Sequence, residues 1–202
     1  MAITTYAELQ TAVGNWLNRT DLTTAIPDFI TLAEAKMKRR VRHWRMESRA
    51  TAETVAGQRT LALPNGYIEM RNLKINATHV DVLEFLPPSV MYENSSAQGQ
   101  PKYYTVQGDQ LVLEPVPDSA YEIEMGYLSF DVLSDSNTSN WVLTNHPDLY
   151  LYGTLLEAAA YIKDNDYVPV WKSGYDLALR EILKDDKSGR WNGTPLIMRI
   201  EA

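Results

Sequence analysis

The chain predicts an α+β fold, with about four helices in a bundle, an inserted antiparallel β-domain and an extended C-terminal tail. Three observations lead there. Apolar residues recur at helical spacing toward both ends of the chain. Through the middle they alternate with polar residues, as on a half-buried strand. Turn signals rich in Gly, Pro, Asn and Asp separate the runs. Strands bracketed by helices indicate α+β rather than a doubly wound sheet. The expected division gives residues 1–57 and 131–186 to the helical bundle, 58–130 to the β-domain and 187–202 to the tail.

The elements follow in order. Thr5 and Glu8 have the spacing of a capping box, and Tyr6, Leu9, Val13, Trp16 and Leu17 supply an apolar stripe behind it. Residues 18–24 read as a turn. A second helix has Pro27 in its first turn, where the missing N–H costs nothing. Its stripe is Ile30, Ala33, Met37, Val41 and Trp44, which carries the expected helix to about Arg49. Strands are expected over Thr60–Leu63, Ile68–Ile75 and Val80–Leu86, then one helical turn over Ser89–Glu93. Gly108-Asp109 between Tyr103–Gln107 and Gln110–Glu114 signals a hairpin. Tyr121, Ile123, Met125 and Tyr127 alternate with Glu122, Glu124 and Gly126, a strand with carboxylates on its wet face. A Ser/Asp/Asn linker over 131–140 precedes a helix expected to be capped by Asn145, with Pro147 and Asp148 in its first turn. Asp164-Asn165-Asp166 breaks it. The last helix is expected from about Pro169 to Asp186, with Trp171, Tyr175, Ala178, Leu179 and Ile182 inward.

At 202 residues, 45% hydrophobic and 22% charged, the chain has the composition of a globular protein with a true core. No cysteine is present, which excludes disulfides and thiolate metal sites. The first residues lack a basic stretch followed by an apolar run, so synthesis in a cytoplasm is expected. No run approaches the ~18 apolar residues of a membrane helix. Five Trp and twelve Tyr are a heavy aromatic load, suited to cores and to interfaces alike.

The motifs of common chemistry are missing: no phosphate loop, no Gly-x-Gly-x-x-Gly, no His-Glu-x-x-His and no Gly-x-Ser-x-Gly. Glu122 and Glu124 point the same way on a strand but read as a solvated face. Asp164-Asn165-Asp166 lacks the Gly and distal Glu of a calcium loop. His146-Pro147-Asp148 matches the tripeptide of J-domain co-chaperones, yet the basic helix lies far upstream and a helix start is the simpler reading. No catalytic, cofactor-binding or metal residues are therefore assigned, and no cofactor is expected.

Charge is unevenly spread. Lys36, Lys38, Arg39, Arg40, Arg42, Arg45 and Arg49 face Glu47 alone, giving residues 36–49 a net +6. The chain as a whole carries −7, so the remainder carries −13. The basic stretch, with Lys36, Arg39, Arg42 and Arg45 as its candidate contacts, reads as a surface for an acidic protein partner or as a solvated face. A nucleic-acid-binding module using helix 36–49 is the alternative. The acidic remainder opposes it, because it repels phosphate.

Five phrases, taken together, carry a resemblance. They span residues 25–40, 61–71, 99–108, 111–117 and 140–153; the first contains Ala25-Ile-Pro-Asp-Phe-Ile and the last Asn140-Trp-Val-Leu-Thr-Asn-His-Pro-Asp. Their order and spacing resemble the head-to-tail adaptors of short-tailed bacteriophages, related to the tail tubular protein A group, over about Tyr6 to Arg199. The resemblance implies a non-enzymatic virion protein at the head–tail junction. Twelve copies would form a ring between the portal protein and the tail nozzle, offer a platform to tail fibres, and pass genome DNA through the lumen without specific binding. It also implies that the tail docks on the portal, with Trp191, Leu196, Met198 and Arg199 as candidate anchors.

Overall fold

The computed structural model describes residues 2–76, 80–91 and 98–191, with the side chains of residue 80 and of 187–191 outside that description. The fold is α+β, and the chain divides into two compact units, residues 1–46 with 131–202 and residues 47–130.

The first unit is helical. Helix α1 (Tyr6–Leu17) starts at the expected capping box: Glu8 N–H donates to Thr5 Oγ1 and Thr5 N–H to Glu8 Oε2. It ends on Asn18, which adopts a left-handed φ of 49°, a conformation Asn tolerates. Tyr6, Leu9, Ala12 and Val13 are buried, whereas Trp16 is exposed and packs edge-on against Tyr152. Helix α2 (Ile26–Arg40) has Pro27 in its first turn and buries Ile26, Phe29, Ile30, Ala33, Glu34 and Met37. Two further helices, α5 (Pro147–Ile162) and α6 (Val168–Trp191), complete the bundle, with the five-residue α4 (Trp141–Asn145) leading into α5. Helix α5 packs against α1, α2, α4 and α6. Leu149, Tyr150, Leu151, Gly153, Thr154, Leu155, Ala158 and Ala159 are all buried, as befits the central helix of a bundle.

Three helix boundaries differ from expectation. Helix α2 stops at Arg40, not near Arg49; Val41 is extended, and a 3₁₀ turn follows at Trp44–Met46. The stop has a tertiary cause. His43 turns fully inward, its Nδ1 accepting Arg45 N–H at 3.1 Å and its Nε2 lying 3.2 Å from Asp185. Arg42 closes the helix end by donating to the carbonyls of Lys38 and Val41. Asn145 is not a cap either. Asn140 caps α4 by accepting Leu143 N–H at 2.8 Å, and His146 takes the Ncap position of α5 without a side-chain bond. Helix α6 continues past Asp186 to Trp191; the rest of the expected tail lies outside the described residues.

The second unit consists of two four-stranded sheets. Strand β1 (Glu47–Glu53), on sequence grounds the end of the helical segment, pairs antiparallel with β8 (Glu122–Ser129). With β3 (Tyr67–Asn76) and β4 (Val80–Val82) the order is β1-β8-β3-β4. The other sheet contains β2 (Thr60–Ala62), β5 (Glu84–Phe85), β6 (Tyr103–Gln107) and β7 (Gln110–Glu114), ordered β2-β7-β6-β5. Between these strands the pairings are antiparallel except that of β5 with β6, which is parallel over two residues. The short helix α3 (Pro88–Met91) follows β5. The β6–β7 hairpin pairs Gln107 with Gln110, and its only positive φ is the 60° of Gly108 at the first loop position.

Leu73, Ile75, Ile123, Met125 and Tyr127 from one sheet meet Tyr104, Leu111 and Leu113 from the other in a common core. Glu122 lies on the opposite face of β8, exposed. Glu124 beside it is ion-paired to Lys74 at 3.1 Å and to Arg49 at 3.7 Å, and the Lys74 hydrogen bond lowers its pKa.

Candidate functional site

The basic stretch is not one helix. Lys36 and Arg39 lie on α2, Arg42 follows its end, and Arg45 sits in the 3₁₀ turn. Each does something different. Lys36 pairs with Glu157 of α5. Arg39 is exposed and forms no ion pair among the described residues. Arg42 is half-buried and caps α2. The Arg45 guanidinium lies 5.1 Å from the centroid of the Trp44 ring, a cation–π contact. Arg49 belongs to β1, in the other unit.

Behind the 3₁₀ turn the helical unit holds an aromatic hub. His43 stacks on Trp141 with centroids 4.4 Å apart, and Trp141 meets His146 edge-on at 5.4 Å. Nδ1 of His43 accepts the Arg45 N–H, which leaves Nε2 as the ring nitrogen that faces Asp185, 3.2 Å away. Asp186 accepts Trp44 N–H at 2.8 Å. Burial lowers the pKa of His146; Asp148 opposes that shift and His43 adds to it. The hub thus clamps α6 to the turn after α2. His146 serves this packing, while Pro147 and the exposed Asp148 stand in the first turn of α5, in line with the helix-start reading of the tripeptide.

One face of the bundle is concave. Ala33, Lys36 and Arg40 of α2, Gly153, Leu156 and Glu157 of α5, and Lys172, Tyr175 and Asp176 of α6 line a cleft of about 290 Å³. Gly153 makes the room: a Cβ there would stand 3.2 Å from the Tyr175 ring and 3.1 Å from Met37 Cε. Tyr175 is buried, and its hydroxyl has no partner among the described residues. Sequence reasoning placed Tyr175 in the core and missed the cleft. Its only trace in the sequence is the spacing of Ala33, Lys36 and Arg40, which puts two cations beside a small residue on one helix face.

Of the four tail candidates, Trp191 is the last residue of α6. Leu196, Met198 and Arg199 lie outside the described residues. Among the described residues no cluster of three or more His, Asp or Glu could hold a metal ion, and no helix is long and apolar enough to cross a membrane.

A helical unit interrupted by a β unit, with its most distinctive side chains turned to packing, suits a protein of assembly. The family comparison defines the class: the chain matches, over residues 4–199, a family model described as SU10 adaptor protein, that of a phage head–tail adaptor and a structural component of the virion. The chain belongs to the SU10 adaptor protein family. All five sequence phrases lie inside the matched span. No curated protein matches the chain.

Proposed function

We propose that the protein works as tail tubular protein A-like adaptors do, forming a ring of twelve between the portal protein and the tail nozzle and extending the DNA channel. The observation that carries this reading is the family match across residues 4–199. A ring closes through head-to-tail contacts between unlike surfaces, and the chain has unlike surfaces to offer. Arg39 and Arg40 are exposed cations at the end of α2, while the sequence outside 36–49 carries −13. Repeated around a ring, an acidic lumen lets DNA slide without sticking. The segment after α6, with Leu196, Met198 and Arg199, docks on the portal in this reading, and the ring presents a platform to tail fibres.

The nucleic-acid alternative needs a continuous basic helix over 36–49. It loses ground because α2 ends at Arg40 and because Lys36 and Arg42 are engaged within the helical unit.

A tagged pull-down from the native source, followed by electron microscopy, tests the proposal. A portal ring carrying a second ring of this protein is the expected result and gives the copy number directly. Recovery of nucleic acid alone, or of no partner, overturns the ring reading.

A further inference from the structure

We propose that an exposed apolar face of α6 is the seat of the chain's own segment 195–200, which in the free subunit lies back along the helix it follows. The inference goes beyond the ring reading: docking on the portal then requires this segment to leave its seat.

The helix supplies the surface. Trp171, Tyr175, Ala178 and Ile182 of α6 are buried. Beside them Val170, Gly174, Leu177, Glu181 and Lys184 recur at alternating steps of four and three, which places them in one row. Val170 is 64% exposed and Leu177 52%. Tyr152 and Trp16 carry the apolar surface on from Gly174. A Cβ on Gly174 would stand 2.8 Å from the Tyr152 ring, and that ring packs edge-on against Trp16, itself 53% exposed. One apolar face is enough to hold a helix in a bundle. This helix has a second, and contiguous exposed apolar surface marks a contact.

The sequence supplies the occupant. Residues 192–202 lie outside the described residues, and their order points to the seat. Helix α6 ends at Trp191, and Asn192-Gly193-Thr194-Pro195 has the form of a helix stop. Gly suits the left-handed position that bonds the following N–H groups back onto the last turn, and Pro cannot resume the helix. A chain stopped in this way is turned toward the helix it has left. Leu196, Ile197, Met198 and Ile200 follow at once. The alternating steps carry the exposed row to position 191, so the segment starts where the row ends.

Reach agrees. Leu177 lies 14 positions before Trp191, about 21 Å along a helix. Ile200 lies nine positions after it, up to about 30 Å of extended chain. Leu177 and Gly174 are therefore within range, with length left for the reversal. On the way the segment passes the exposed Glu181, to which Arg199 brings the matching charge.

The chain has no cysteine, so an introduced pair reports on this contact alone. The full chain carrying Leu177→Cys and Ile200→Cys is compared with one carrying Leu183→Cys and Ile200→Cys. Leu183 is also exposed on α6, and nearer the start of the segment, but it lies off the row. A disulfide needs Cα atoms within about 7 Å, so under oxidised glutathione the 177–200 pair is expected to close at least about fivefold faster than the 183–200 pair. Closure should be intramolecular, at a rate independent of protein concentration. In the 177–200 background Glu181→Lys should slow closure about two- to fivefold, the size of an exposed ion pair, and Arg199→Glu should restore it. Equal rates, faster closure at 183, or no closure overturns the inference. Disulfide-linked dimers in place of closed monomers also overturn it and assign the face to a second copy. Portal recovery without closure sinks the seat and spares the ring; closure without a recovered ring does the reverse.

Discussion

Tyr150 donates its hydroxyl hydrogen to Glu34 Oε1 at 2.9 Å, joining α5 to α2 across 116 positions of sequence. The same oxygen accepts Leu133 N–H at 2.8 Å, and Asn140 Nδ2 donates to the Tyr150 hydroxyl at 2.6 Å. Four residues from three segments thus share one buried knot. It fixes the chain where it returns from the β unit to the helices.

Glu34 makes that knot pH-sensitive. Burial raises its pKa above the ordinary 4.5, against the pull of the Leu133 and Tyr150 hydrogen bonds. The folded state therefore holds this proton more tightly than the unfolded one. Its contribution to stability is complete below the ordinary value and is lost as pH rises through the raised one. Glu34→Gln, neutral at every pH with its acceptor kept, should flatten this part of the stability profile. Glu34→Ala should lose about 1–3 kcal/mol for each stranded donor. Urea unfolding between pH 4 and 8 reads both effects.

Asn140 joins the knot and also caps α4. Its Nδ2 donates to Asp131 O at 2.7 Å as well as to Tyr150. Asn140→Ala should cost about 1–2 kcal/mol for the cap alone, with a further loss from the donors. Asn140→Ser, which restores only the cap acceptor, should fall between the two in a thermal melt.

Gly174 on α6 reverses an ordinary rule. Ala in place of Gly inside a helix usually gains about 1 kcal/mol. Here a Cβ would stand 2.8 Å from the Tyr152 ring, which is held against Trp16. Gly174→Ala is expected to destabilise by about 1–3 kcal/mol. In the Tyr152→Ala background the penalty should disappear, a coupling that a double-mutant cycle measures.

The β unit contains a buried ion pair. Arg59 donates to Glu114, and also to Met91 O at 3.1 Å and Leu113 O at 3.2 Å. Removing one partner of such a pair typically costs about 3–5 kcal/mol, since the other charge stays behind. Glu114→Ala should unfold the β unit at markedly lower denaturant than wild type. The Arg59→Met, Glu114→Leu double variant should recover much of that loss, and spectroscopic probes placed in the β unit follow it.

Arg39 and Arg42 separate assembly from stability. Charge reversal at the exposed Arg39 should weaken ring or portal assembly while the melting temperature holds. Reversal at Arg42 should lower the melting temperature by removing the cap on α2. Normal assembly by Arg39→Glu at ordinary salt would remove the basic segment from the interface.

Where local signals were sufficient, the sequence was legible. The Thr5–Glu8 cap, the Tyr103–Glu114 hairpin and the inward set Ile123, Met125 and Tyr127 each follow from neighbours a few residues apart. The end of α2 does not. Val41 and Trp44 continue its apolar stripe, and Arg42 between them is a good helix former. What stops the helix is His43 meeting Asp185, 142 positions away. Asn140 resisted for another reason: the helix it caps has only five residues, too few to show a period. The cleft was invisible because Tyr175 has the spacing of a core residue, and an unpartnered hydroxyl shows only once three helices are in place.

The antiparallel pairing of β1 with β8 has a consequence for modularity. Glu47 stands opposite Leu128, so the two ends of the β unit lie on neighbouring strands, about 4.8 Å apart in hydrogen-bonding direction. A module whose termini are adjacent can be excised, exchanged or grown without stretching the scaffold that hosts it. A lineage can therefore remodel what this β unit touches while leaving the helical unit unchanged.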